Sequence, residues 1–139
     1  RILKQKVIDC FSRGIINFHP GLIPECRGLD TPHWIGYDDL PLGVTSHFID
    51  SKVDAGFLIK KKEFKLPYDA GLRDISFMLY QGQLDIFEET IDMAVEENMF
   101  YPIERTKKPY GYFPPDKEEE LIDRVNSTGK LRWRVAGDL

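Results

Sequence analysis

Ile15-Ile16-Asn17-Phe18-His19-Pro20-Gly21 and, further along, Gly43-Val44-Thr45-Ser46-His47-Phe48-Ile49 followed by Phe57-Leu58-Ile59-Lys60 decide how this chain is read. The first run, Ile15 to Phe18, is short and mostly apolar, so it reads as a buried strand that Pro20-Gly21 ends. The second is rich in β-branched residues and reads as another strand. Asp50-Ser51-Lys52-Val53-Asp54-Ala55-Gly56 is turn-rich, so 43–60 reads as a hairpin with a long loop. Helical patterns surround these strands. Residues 2–12 place Ile2, Leu3, Val7, Ile8 and Phe11 near helical spacing, with Gly14 as a stop. Asp30 or Thr31 could cap a helix through Trp34 and Ile35, with Pro32 in its first turn. From 68 to 98, Leu72, Ile75, Leu79, Phe87, Ile91 and Val95 keep helical phase, which predicts a long packing helix with Asp69 as cap and Gly82 as a bend. After Tyr101 an aromatic loop, Lys107 to Pro115, leads to a capping-box pair, Asp116 and Glu119, opening a helix to about Val125. Leu131 to Val135 alternates like an edge strand. Strands interleaved with helices make this an α/β chain.

The 139 residues suit one domain, and 42% hydrophobic with 30% charged residues is an ordinary globular composition. Apolar runs fall well short of the roughly 20 residues a membrane helix needs. Arg1-Ile2-Leu3-Lys4 carries no signal-peptide pattern, and the expectation is that the chain starts inside a longer gene product. A net charge of −4 supplies no overall field toward nucleic acid. Lys60-Lys61-Lys62 is local and followed by Glu63; it reads as a solvated strand end or loop, or else as a small phosphate site. Cys10 and Cys26 form no CxxC, and two free thiols in a reduced cytoplasm are expected. The spacing of Cys26, His33 and His47 matches no common zinc site, so no metal is expected.

Asn17 and His19 are two apart on a strand and therefore emerge on one face. His19 falls where the strand gives way, at the C-terminal end, where open α/β sheets bind ligands. A carboxamide beside an imidazole offers two directional donors of the kind a developing oxyanion requires. A buried Asn satisfying backbone groups and a His capping a turn would show the same pair. Asp54, in Val53-Asp54-Ala55-Gly56, could hold an imidazole's tautomer and keep it charged, or could simply form the turn.

Taken in order, Ile16 to Ile59 (INFHPGLIPECRGLDTPHWIGYDDLPLGVTSHFIDSKVDAGFLI) resembles the formyltetrahydrofolate-dependent formyltransferase family, whose members formylate glycinamide ribonucleotide, methionyl-tRNA or amino sugars. The resemblance rests on Asn17-x-His19, Pro20-Gly21-Leu22-Ile23-Pro24, Arg27-Gly28, Gly43-Val44-Thr45 and Asp54-x-Gly56. It spans about a third of the chain.

That resemblance implies a Rossmann-like formyltransferase sheet of which this chain is the C-terminal part, with a long packing helix and with the N-terminal βαβ part absent. It implies residues 1–100 as the C-terminal half of the catalytic domain and 101–139 as an extension. Asn17, His19 and Asp54 become the catalytic trio. Asp50, Ser51, Lys52 and Val53 match the loop that contacts the folate pterin, His47 and Arg27 become substrate-binding positions, and a cis bond before Pro24 would be in keeping with the family. Arg27 could equally pair with Glu25 or Asp30 at the surface. The cosubstrate implied is 10-formyltetrahydrofolate, with no metal. The partner is a small-molecule amine, an amino sugar or glycinamide ribonucleotide, rather than nucleic acid or membrane, and a homo-oligomer is compatible with all of this. These residues alone are expected to lack activity. A formyltetrahydrofolate hydrolase and a non-catalytic module of the same fold are the alternatives.

Overall fold

The computed structural model describes residues 3–51, 56–67, 69–96 and 99–128. Its elements are α1 (Gln5–Ile8), β1 (Ile16–His19), α2 (Thr31–Tyr37), β2 (Gly43–Ile49), β3 (Gly56–Glu63), α3 (Leu72–Asp85), α4 (Phe87–Glu96), β4 (Tyr101–Pro102) and α5 (Pro115–Thr128). The strands form one sheet in the order β1-β2-β3-β4, antiparallel at every pairing. The expected hairpin is there: β2 pairs with β3 from Gly43↔Glu63 to Ile49↔Gly56. The register steps between Ser46 and His47, whose partners are Lys60 and Leu58, leaving Ile59 as the extra residue of a bulge. Strand β4 was not legible beforehand, because a two-residue strand ending in proline carries no alternation.

Alternation along β2 divides the sheet into two faces. Val44 and Ser46 face the helices: Val44 is fully buried in one core with Ile75, Leu79 and Ile86, and the Ser46 hydroxyl shares a 2.9 Å bond with Thr90 of α4. Each such apolar side chain contributes about 1.5–3 kcal/mol on leaving water. Lys60 and Lys62 of β3 reach the same side and pair with Glu89 and Asp85. Hydrogen bonds from Gln81 and from Lys62 hold the Asp85 carboxyl below its usual range. The lysine run is therefore the strand end of the two readings, with two of its charges paired.

Several local expectations change. The long helix is two helices, and the break falls at Ile86 instead of Gly82. Gly82 is a point of close approach, since a Cβ there would lie 2.3 Å from the Phe64 ring. The buried stripe runs through Ile75, Leu79, Gly82, Ile86 and Thr90 in three- and four-residue steps across the break, while Phe87, Ile91 and Val95, expected in the core, fall on the neighbouring face and are exposed at 53%, 37% and 54%. The α3 cap is Gly71, whose N–H donates to the Asp74 carboxylate at 2.7 Å, and not Asp69. Helix α1 shrinks to one turn that buries only Ile8. Helix α5 begins at Pro115, one residue before the proposed capping Asp116. The segment 131–135 lies outside the described residues.

Candidate functional site

Opposite the helices, the sheet carries polar groups. In the antiparallel register Asn17 faces His47 and His19 faces Thr45, so the four side chains share one face. Residues 20–29 fold over it. The fully buried Thr45 hydroxyl donates to the Gly21 carbonyl at 2.8 Å and accepts the Ile23 N–H at 3.1 Å. The Ile23–Pro24 bond is cis, as the resemblance led one to expect.

His19 is 3% exposed, and its Nε2 lies 2.8 Å from the Cys26 carbonyl oxygen. A carbonyl can only accept, so Nε2 carries a proton in this arrangement. Gly21 leaves room for that contact, since a Cβ there would stand 2.5 Å from the Cys26 oxygen and 2.9 Å from His19 Nε2. His47 is oriented by the same logic. Its Nδ1 donates to the Phe48 carbonyl at 3.2 Å, which leaves Nε2 to accept the Asn17 Nδ2–H at 3.2 Å. His47 is fully buried, and its ring fixes the Asn17 carboxamide.

Arg27 is also buried, at 5% exposure, and donates from Nη1 to the Lys107 carbonyl at 3.4 Å, so the surface alternative does not hold. Asp50 accepts a bond from Arg105 at 3.0 Å, and Ser51 is exposed beside it. Lys52, Val53 and Asp54 lie outside the described residues. The structure thus brings Asn17 and His19 together and describes no position for the third member of the trio. Among the described residues, no group of three or more His, Cys, Asp or Glu side chains is placed to hold a metal ion. No helix among them is long and apolar enough to cross a membrane.

Two further pieces escaped sequence reasoning. Thr45 had a signal, a hydroxyl on the same strand face as His47, but nothing local named its partners. The segment Tyr110–Phe113 stood out only as an aromatic loop, with nothing to name its partners. It lies along residues 27–38: Gly28 and Tyr110 form a parallel bridge, Tyr110 stacks on Trp34 at 4.7 Å, and its hydroxyl donates to Asp38 at 2.9 Å. Burial, then that bond and the Asp38 charge, push the Tyr110 hydroxyl up to about 12.

The family model described as formyl transferase matches residues 1–76, more than half of the chain. The chain belongs to that family. The methionyl-tRNA formyltransferase of Flavobacterium psychrophilum is 33% identical over 105 residues, which are 75% of this chain and 33% of that protein. Among solved structures, the formyltransferase from Anoxybacillus kamchatkensis in complex with UDP-4,6-dideoxy-4-formamido-L-AltNAc and tetrahydrofolate superposes with a TM-score of 0.71 at 28% identity, covering 88% of this chain and 64% of that one. The phosphoribosylglycinamide formyltransferase from Bacillus halodurans, at 20% identity and a TM-score of 0.64 over 73% of this chain and 54% of its own, shares the fold. The chain spans 28% to 44% of the length of the curated relatives it matches. Its α/β sheet and packing helices are the formyltransferase architecture expected.

Proposed function

We propose that the protein to which this chain belongs transfers the formyl group of 10-formyltetrahydrofolate to a primary amine on a small nucleotide-linked substrate. The observation that carries this reading is the pairing of an oriented Asn17 carboxamide and a protonated His19 ring nitrogen on one sheet face under a braced loop. In the proposed reaction the neutral amine attacks the formyl carbon, a new C–N bond forms, the bond to the folate nitrogen breaks, and a proton passes from amine to leaving nitrogen. Asn17 has a second amide N–H beyond the one His47 accepts, and His19 in its doubly protonated form is donor-only. Together they would meet the tetrahedral oxyanion, each worth about 3–4 kcal/mol. Asp54 is proposed to hold the His19 charge, and the 50–53 loop to meet the folate. Arg27 is proposed on the substrate side. Residues 1–100 would carry the chemistry and 101–139 an extension bracing it, in a reduced cytoplasm.

An amino sugar on a nucleoside diphosphate is the favoured acceptor, supported by the 28% identity to an enzyme crystallised with such a formamido sugar. The similarity to methionyl-tRNA formyltransferases favours a tRNA acceptor as the second reading. Against it stand the net charge of −4 and the pairing of Lys60 and Lys62 with acidic residues. A panel of UDP-amino sugar, glycinamide ribonucleotide and methionyl-tRNA, offered to the full-length protein with 10-formyltetrahydrofolate, separates them; formate release without any amine would point to a hydrolase. His19→Ala and Asn17→Ala are each expected to lower kcat about a hundred- to a thousandfold, with the folded state retained. Unchanged turnover in both removes the catalytic reading.

A further inference from the structure

We infer that the Tyr110–Phe113 strap is a positioning element for His19, acting through the Cys26 carbonyl. The strap holds the loop at its far end by backbone geometry that side-chain packing alone would not need. Tyr110 N–H donates to the Arg27 carbonyl at 2.7 Å, and Leu29 N–H returns a bond to the Tyr110 carbonyl at 3.0 Å. Gly28, between them, has φ 111°, and a Cβ there would stand 2.1 Å from the Tyr110 oxygen, so the strap occupies the space that every other residue would need. Trp34 Nε1–H donates to the Gly111 carbonyl at 3.0 Å, and the Asp30 carboxylate accepts the Phe113 N–H at 2.8 Å.

Asp30 shows that the strap takes precedence over local structure. It immediately precedes α2, where its carboxylate would ordinarily cap the helix for about 0.5–2 kcal/mol. It makes no side-chain cap bond and sits at φ 49°; its carboxylate serves Phe113 instead. The connection to the site is then very short. The Arg27 carbonyl is gripped by the strap, and the Cys26 carbonyl grips His19. Peptide units are rigid planes, so only the backbone dihedrals of Arg27 separate the two bonds. Release of the strap frees those dihedrals, swings the Cys26 carbonyl, and takes away the acceptor that sets the His19 ring.

The kinetic side of this inference rests on the proposed formyl transfer; the spectroscopic side does not. In the full-length protein, Asp30→Gly removes the acceptor for Phe113 N–H and also relieves the positive φ, while Asp30→Asn keeps an oxygen in place. With nitrogen-15 labelling, the His19 Nε2–H resonance should be lost or exchange-broadened in Asp30→Gly and restored in Asp30→Asn. On the activity side, kcat should fall about ten- to a hundredfold in Asp30→Gly and recover in Asp30→Asn, with KM for the folate held within about twofold. Gly28→Ala should produce the same signature more strongly; where it does not fold, the Asp30 pair decides. A folded Asp30→Gly with a wild-type His19 resonance, whether or not its melting temperature falls, overturns the inference and leaves the strap a structural brace. A wild-type protein that formylates none of the amines overturns the proposed reaction, while the resonance series still tests the strap.

Discussion

The loop that closes over Asn17 and His19 is held in two different ways at its two ends. At its start, one fully buried hydroxyl, Thr45, satisfies the Gly21 carbonyl and the Ile23 N–H from within the neighbouring strand. At its far end, the hold comes from a segment some eighty residues away along the chain, through backbone pairing, a stacked Trp34–Tyr110 pair and the Asp30 carboxylate. The first anchor is compact, and losing it leaves two buried groups without partners. The second is spread over several contacts at a partly wet surface, so its parts are individually weak. A concentrated anchor fixes where the loop begins; a distributed one trims where it ends.

The contrast can be broken by measurement. Thr45→Val keeps the shape and strands both buried partners, so it should lower the unfolding free energy by about 2–4 kcal/mol in urea titration. Asp38→Ala removes the acceptor of the Tyr110 hydroxyl at an exposed position, and about 1 kcal/mol is expected. Should Asp38→Ala cost as much as Thr45→Val, the far anchor is not distributed at all.

The smallest effect belongs to Tyr110→Phe, and it shows best as a pH dependence. The Tyr110 hydroxyl titrates at about 12 in the folded state against 10.0 for an ordinary tyrosine. A raised folded value means that the folded state holds the proton more tightly, so Tyr110 contributes stability that is fully present below the ordinary value and is lost as pH rises through the folded one. Melting temperatures of the wild type should thus decline more steeply than those of Tyr110→Phe between about pH 10 and pH 12. Parallel curves would mean that neither burial nor the Asp38 bond holds the Tyr110 proton in the folded state.

Much of the site's framework was legible beforehand. Side chains two apart on a strand share a face whatever surrounds them, which is why Asn17 and His19 could be placed together and 43–60 recognised as a hairpin. The helix over 68–98 was half legible. Ile75 and Leu79 lie in the core as spaced, and the buried stripe continues through Ile86 to Thr90, but Phe87, Ile91 and Val95 are out of phase with it and stand exposed. Asp30 had the right identity for a helix cap and the right place in the chain, yet its carboxylate serves Phe113. That His47 would hold the Asn17 carboxamide was not legible, since the two are thirty residues apart.

The sequence by itself determined the first strand, the β2–β3 hairpin and the helices that flank them, the shared direction of Asn17 and His19, and the motifs that mark the formyl transferase family. These follow from local periodicity and from residue types at fixed spacing. Only the tertiary structure decided which carbonyl meets His19, what holds Asn17, and what Gly28 makes room for. A donor or acceptor takes the partner that folding brings within about 3 Å, and spacing along the chain says nothing of a partner eighty residues away.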